Sequence, residues 1–390
     1  MKIKPEARFP NIAFYLTAAI VSSFLFSLFL LQIFSALLFI LWLFEKNDQK
    51  KISFDLLGKA ILAFGIVRIA ALIFSEYPSE SVLIFTKEIL FYLSFFALNY
   101  YLKSFDEKKL HQIINIFVYA GVAISLIGIF QFVFNYVHRA QSITSGYATF
   151  SSYLIIIFIF LYYQKINTDD IKLKLIWIAS VSFVLTGIIV SQGRANIAIA
   201  GLAFIVITYL NKTKLKYAAA IIFSSAALSI GSFFFNSTSI QSRISNVGAL
   251  SDRDILLKGF KLVLGEYPII GFGPLTFKKV FPFFDELADK GVGSWHNLYI
   301  EIYIESGVIG LLSFFALIYI VLLLVYKSFK VKNNSELIQR VSLSVLISTI
   351  SLLIISLTAG FLFSPILSIV FAFIISLQSS IYYKYSDKPD

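Results

Sequence analysis

The chain has 390 residues, 58% of them hydrophobic, 17% aromatic and only 14% charged, with 42 phenylalanines and no cysteine. A soluble globule is roughly half apolar, so this composition excludes one, and the lack of cysteine excludes disulfides and thiolate metal sites. The formal charge of +11 raises the question of a nucleic-acid partner, which the placement of the charges answers.

Apolar stretches of about 18 residues or more recur along the whole length, each enough to cross a hydrocarbon core of about 30 Å. They do not alternate with period two, so an outer-membrane barrel is excluded. The fold class expected is an all-α polytopic membrane protein. The first ten residues are basic but carry no small-residue cleavage site, so the first span is expected to be retained. Residues 11–44 are too long for one span, at about 51 Å as a single helix. They are expected to form two short spans with a turn near Ser22, Ser23 or Ser27. Further spans are predicted at about 57–75, 81–102, 110–135, 147–164, 173–191, 195–210 and 217–235, and after a long polar segment at 298–326, 341–357 and 362–383. That gives about twelve transmembrane helices: nine in residues 1–235, a large loop over 236–296, and three in 297–390. No period of 20–50 residues repeats, so neither a solenoid nor a duplicated transporter half is expected.

Lysine and arginine orient the spans. With the N-terminus in the cytoplasm, 21 of the 33 basic residues fall on inner segments, and Arg139 and Arg194 alone lie in short outer loops. The positive charge is therefore topological and needs no nucleic acid. The same rule puts 236–296 outside, and long loops concentrate function. Within it, "RDILLKGFKLVLGEYP" sets Leu256, Phe260, Val263 and Tyr267 on one face and Asp254, Lys258 and Lys261 on the other. Such an amphipathic helix suits either the bilayer surface or a lid on the loop's own core.

Charges inside spans are costly and tend to mark function. Asp55 and Lys59, four apart near an inner end, are expected to pair or snorkel. Arg68, Lys87 and Glu88 fall on adjacent helices joined by "EYPSE", about 10 Å below the outer surface. They fit either a buried Arg68–Glu88 pair with Lys87 snorkelling or a cation facing a lipid phosphate. The outer turn "SQGRAN" brings Arg194, while Arg243 and Arg253 add fork-shaped donors that match phosphate oxygens. "GSWHNLYIEIYIESGVIG" runs straight into a span, and its helix must project above the membrane or break near Gly307. Its His296, Asn297, Glu301 and Glu305 then line a polar vestibule, where the imidazole is either part of an interfacial belt or a general base.

On these residues the chain resembles the O-antigen ligase and O-antigen polymerase superfamily of bacterial envelopes. The likeness is sharpest in "DRDILLKGFKLVLGEYPIIGFGPLTF", "HNLYIEIYIESGVIG" and "SQGRAN". Leu298 stands two places after the histidine, where ligases often carry a polar residue. The resemblance implies a metal-independent glycosyltransferase without cofactor, in the bacterial cytoplasmic (inner) membrane with its site facing the periplasm. Its donor would be a glycan on undecaprenyl diphosphate; its acceptor, lipid A-core oligosaccharide for a ligase or a second lipid-linked glycan for a polymerase. It implies His296 as catalytic base and Arg194, Arg253 and Lys87 on the diphosphate. The rivals are a lipid-linked oligosaccharide flippase, which should show a polar route across the bilayer, and a peptidoglycan-type polymerase using a carboxylate such as Glu301, Glu305 or Asp252.

Overall fold

The structure, a computed structural model, describes residues 7–164, 170–236, 253–287, 292–331 and 336–385. Its regular elements there are helices: α1 (Pro10–Ser23), α2 (Leu28–Leu43), α3 (Leu56–Ile73), the interrupted α4 (Pro78–Ser104), α5 (Glu107–Val133), α6 (Tyr147–Tyr163), α7 (Ile171–Val190), α8 (Arg194–Leu210), α9 (Leu215–Phe235), α10 (Arg253–Val263), α11 (Leu298–Phe329), α12 (Glu336–Ile355) and α13 (Pro365–Tyr385). Eight of them, α3, α4, α5, α7, α9, α11, α12 and α13, are long and apolar enough to cross a membrane. The other apolar helices, α1, α2, α6 and α8, have 14 to 17 residues. They run about 21–26 Å, short of a hydrocarbon core of about 30 Å. Each segment expected to span is therefore helical, while full spanning length belongs to eight.

Polar residues start the helices by satisfying their orphan amides. Ser27, Asp106 and Asp170 accept from the amides of Leu30, Lys109 and Lys172 at 3.2, 2.7 and 2.8 Å. The turn between α1 and α2 falls at residues 24–27, with Leu25 at φ +60°, where the serines predicted it. Residues 150–163 of α6 and most of α13 are buried. Both are enclosed by neighbouring helices, and of the polar side chains α13 buries, Gln378, Ser379 and Ser380 are hydrogen-bonded. The exposed large side chains, among them Phe29, Ile66, Ile205, Phe223 and Leu312, lie on the outward faces of the peripheral helices.

At the end of the bundle that carries the described termini, Asp55 caps α3 through the Gly58 amide at 2.8 Å. It pairs with Lys103 at 2.6 Å and accepts from Ser379 at 2.6 Å. Of the two arrangements expected from spacing, the Asp55–Lys59 pair is thus corrected to Asp55–Lys103. Once Asp55 caps the helix, its carboxylate faces α4 and α13, and Lys59 is left exposed.

The opposite end carries a second, smaller core built from the long loop. Leu256, Val263, Phe272, Phe277, Val280, Phe281, Leu287 and Trp295 pack there with Ile304. Gly259 faces this core so closely that a Cβ would stand 2.3 Å from the Phe281 ring. Helix α10 therefore caps the loop's own core. Tyr267, expected on its buried face, lies beyond the helix end, is exposed, and donates to Glu76.

Candidate functional site

Two helices break at the loop end. Helix α4 runs as Pro78–Ser81, Ile84–Lys87 and Ile89–Ser104, where a continuous span was expected. Helix α11 breaks at Gly307, with φ +65° and ψ −167°, where its length required a projection or a break. A break inside a membrane helix frees backbone groups that must find partners. At Gly307 the partners come from "PIIGFG". The amides of Phe272 and Gly273 donate to the carbonyls of Ile304 and Glu305 at 2.8 and 3.1 Å, and Val308 donates to Pro268 at 2.8 Å. The glycines are required by this contact: a Cβ on Gly271 would lie 2.5 Å from the Glu305 carbonyl carbon, and one on Gly307 would lie 2.1 Å from the Ile269 oxygen. Ser75 and Ser81 hold the loop from the α3–α4 turn, donating to the Phe272 and Pro274 carbonyls at 2.8 and 2.9 Å.

Beneath this seam lies Arg68, 1% exposed. It donates to Glu88 at 2.5 and 3.3 Å, to Glu305 at 2.7 Å and to the Ser306 hydroxyl at 2.8 Å. Its guanidinium carbon also stands 5.1 Å from the centre of the Phe363 ring. Glu305 accepts the Leu275 amide at 2.7 Å on its other oxygen. A buried charge is tolerated only when paired and hydrogen-bonded, and Arg68 satisfies this by joining α3, α4 and α11. Glu301, one turn before Glu305, is buried against Gly360, where a Cβ would meet its Oε2 at 3.3 Å. The Lys87 ammonium is exposed and near enough to act electrostatically on Glu301.

His296 stands at the head of α11. Asn297, expected as site support, is the helix cap: its Oδ1 accepts from the Tyr299 and Ile300 amides at 3.0 and 3.2 Å. Its Nδ2 donates to Leu357 at 3.4 Å, and the Leu298 amide donates to Ser356 at 2.9 Å. Those bonds seat α11 on the C-terminal end of α12. On the other side Trp295 is 2% exposed in the loop core, packed edge-on against Phe277 and Phe281 at 5.2 and 5.4 Å and facing Phe260 of α10 at 6.4 Å. Fixed on both sides, His296 takes φ +49°, a left-handed conformation costly for a residue with a Cβ. The residue is partly exposed to solvent. The protein packed behind it, and secondly the charge of Arg253, hold the imidazole below its ordinary titration range.

The structure thus joins Arg68 to Glu88 and Glu305, with Glu301 one turn away, while Arg253 and Lys87 act on His296 and Glu301 through their charge alone. Arg194 makes no direct bond to either group and is exposed at the start of α8. Its turn is well ordered by bonds. Asn196 donates to Ser151 at 2.5 Å, and Arg139 donates to the Ser191 carbonyl at 2.9 Å. Arg243 and Asp252 lie outside the described residues. Among the described residues no three His, Asp or Glu side chains gather as a metal site. Missed from sequence were Ser306 and the Leu275 amide, whose roles depend on which helices meet.

A bundle of apolar helices, eight of them long enough to cross a membrane, is a multi-pass membrane protein. Residues 144–315 are similar to the family model described as O-Antigen ligase, a likeness that suggests ligase- or polymerase-type activity. The matched stretch includes Arg194, Arg253, His296, Glu301 and Glu305; Arg68 and Lys87 precede it. Comparison with curated proteins found no match.

Proposed function

We propose that the protein is an O-antigen ligase-type glycosyltransferase of the bacterial inner membrane, moving a glycan from undecaprenyl diphosphate to lipid A-core oligosaccharide at the periplasmic face. In this reading all twelve apolar helices lie in the membrane, the short ones within a thinned or shared apolar zone. Both termini are cytoplasmic, and the 236–296 loop is periplasmic. An acceptor hydroxyl attacks the anomeric carbon, the bond from that carbon to the diphosphate oxygen breaks, and the hydroxyl proton passes to the neutral imidazole of His296. Lys87, Arg194 and Arg253 stabilise the departing diphosphate as preorganised cations, without need of a metal. The observation that carries this reading is the family match across residues 144–315, because it contains the candidate base together with both arginines.

A second reading, a polymerase joining lipid-linked repeats, is favoured by Leu298, which stands where ligases often carry a polar residue. Purified protein in liposomes, given a lipid-linked donor with lipid A-core and with a second lipid-linked repeat, separates them. Glycan on lipid A-core supports the ligase. Lengthened lipid-linked chains support the polymerase. Donor crossing the bilayer without new glycosidic bonds would overturn both in favour of a flippase.

A further inference from the structure

Lys87 and His296 stand on the two short segments that the helix breaks create. Ile84–Lys87 is one turn isolated between interruptions of α4, and residues 298–306 are cut from the rest of α11 by Gly307. Each segment is tied to a carboxylate: Glu88 directly follows Lys87, and Glu305 lies nine residues after His296, at the far end of the segment that His296 heads. Both carboxylates are held by one side chain. Arg68, on the uninterrupted α3, donates to Glu88 at 2.5 Å and to Glu305 at 2.7 Å, and its other terminal nitrogen reaches Ser306 at 2.8 Å.

We propose that Arg68 is a positioning residue: by bridging Glu88 and Glu305 it sets the separation between Lys87 on one wall of the site and His296 on the other. The proposal rests on the roles proposed above for those two residues, but its geometry does not. A planar guanidinium can aim separate N–H groups at two carboxylates and a hydroxyl at once, whereas an ammonium is a point charge without a fixed fork. Arg68 is enclosed, 1% exposed, so it acts through the segments it joins. The backbone bonds between 268–273 and 304–308 do not involve it. Loosening the bridge therefore leaves those backbone bonds of the seam in place.

The test uses the natural absence of cysteine. Phe85 and Gly293 are both exposed, and a Cβ on Gly293 meets nothing within 4 Å. Phe85→Cys with Gly293→Cys, spin-labelled in nanodiscs, reports the distance between the walls by pulsed electron resonance. The native bridge should give one narrow distribution. Glu305→Gln, which leaves Arg68 paired with Glu88, and Arg68→Lys should broaden or shift it at unchanged helical content. In unlabelled protein both should lower kcat by roughly 10²-fold, the cost of an ångström-scale misplacement, with the donor KM little changed. Lost stability alone would lower the amount of active enzyme without altering the distance in what remains folded. Native distance distributions in Glu305→Gln would overturn the positioning role. Altered distances with His296→Ala fully active would instead uphold the positioning role and remove the base.

Discussion

His296 combines a left-handed backbone, partial exposure to solvent and a nearby cation, an arrangement that no interfacial belt requires. Backbone strain of this kind persists only where the surroundings enforce it, and here Trp295 and Asn297 do so. If the imidazole is the base, His296→Ala should cut turnover by roughly 10²–10⁴-fold while donor binding, measured separately, stays close to normal. The base works neutral, so activity should fall as pH drops through the imidazole's own value, below the ordinary value of about 6.5. Arg253→Ala removes a charge that opposes protonation, and the acid limb should then move to higher pH. A rate–pH profile unmoved by that substitution would separate Arg253 from the imidazole. The same depression has a sign for stability: below about pH 6.5 the unfolded chain binds the proton more readily, so acidification should weaken the fold at this position.

Among the elements, the seam between "PIIGFG" and the α11 break is the most constrained. Gly307→Ala demands a Cβ where the Ile269 oxygen stands 2.1 Å away, at φ +65°. Backbone must move on one side or the other, and this backbone conformation, open essentially to glycine alone, itself costs about 1–3 kcal/mol with a side chain. Thermal unfolding in detergent should show a lowered transition. A variant as stable as the parent would mean that the break is not closed by this loop. Helix α10 gives a second prediction, because Gly259 is the point at which it meets Phe281. Gly259→Leu should lift the helix, exposing Trp295 and shifting its fluorescence to the red, with Trp42→Phe and Trp177→Phe as the silent background. An unshifted spectrum would contradict the packing of α10 on the loop core.

For the whole molecule, the testable property is which side each end faces. Lys258, on exposed α10, and Lys212, on the exposed turn after α8, mark opposite ends in the proposed topology. In intact cells an impermeant thiol reagent should label Lys258→Cys and spare Lys212→Cys; the reverse pattern would invert the molecule and put the site in the cytoplasm. The short helices bear on the same question. Helix α6, at 17 residues, is surrounded by protein, so its length need not match the bilayer, whereas α1, α2 and α8 present exposed apolar faces to it.

The sequence by itself determined the membrane class and the helical segments, and it narrowed the long helix after His296 to a projection or a break near Gly307, because each follows from local composition, length or a single residue's conformational freedom. It also marked His296 and the arginines, since polar groups are conspicuous against so apolar a chain. Tertiary structure alone decided the partners. Asp55 chose Lys103 over the closer Lys59 because α4 and α13 pack on that face. The Arg68–Glu88 pair, one of two arrangements open from spacing, became a three-way bridge only when the loop end of α11 brought Glu305 and Ser306 to within 2.8 Å. Spacing along one helix says which residues share a face. A buried guanidinium is satisfied by whatever the neighbouring helices deliver, and those neighbours lie 20 and more than 230 positions away in the chain.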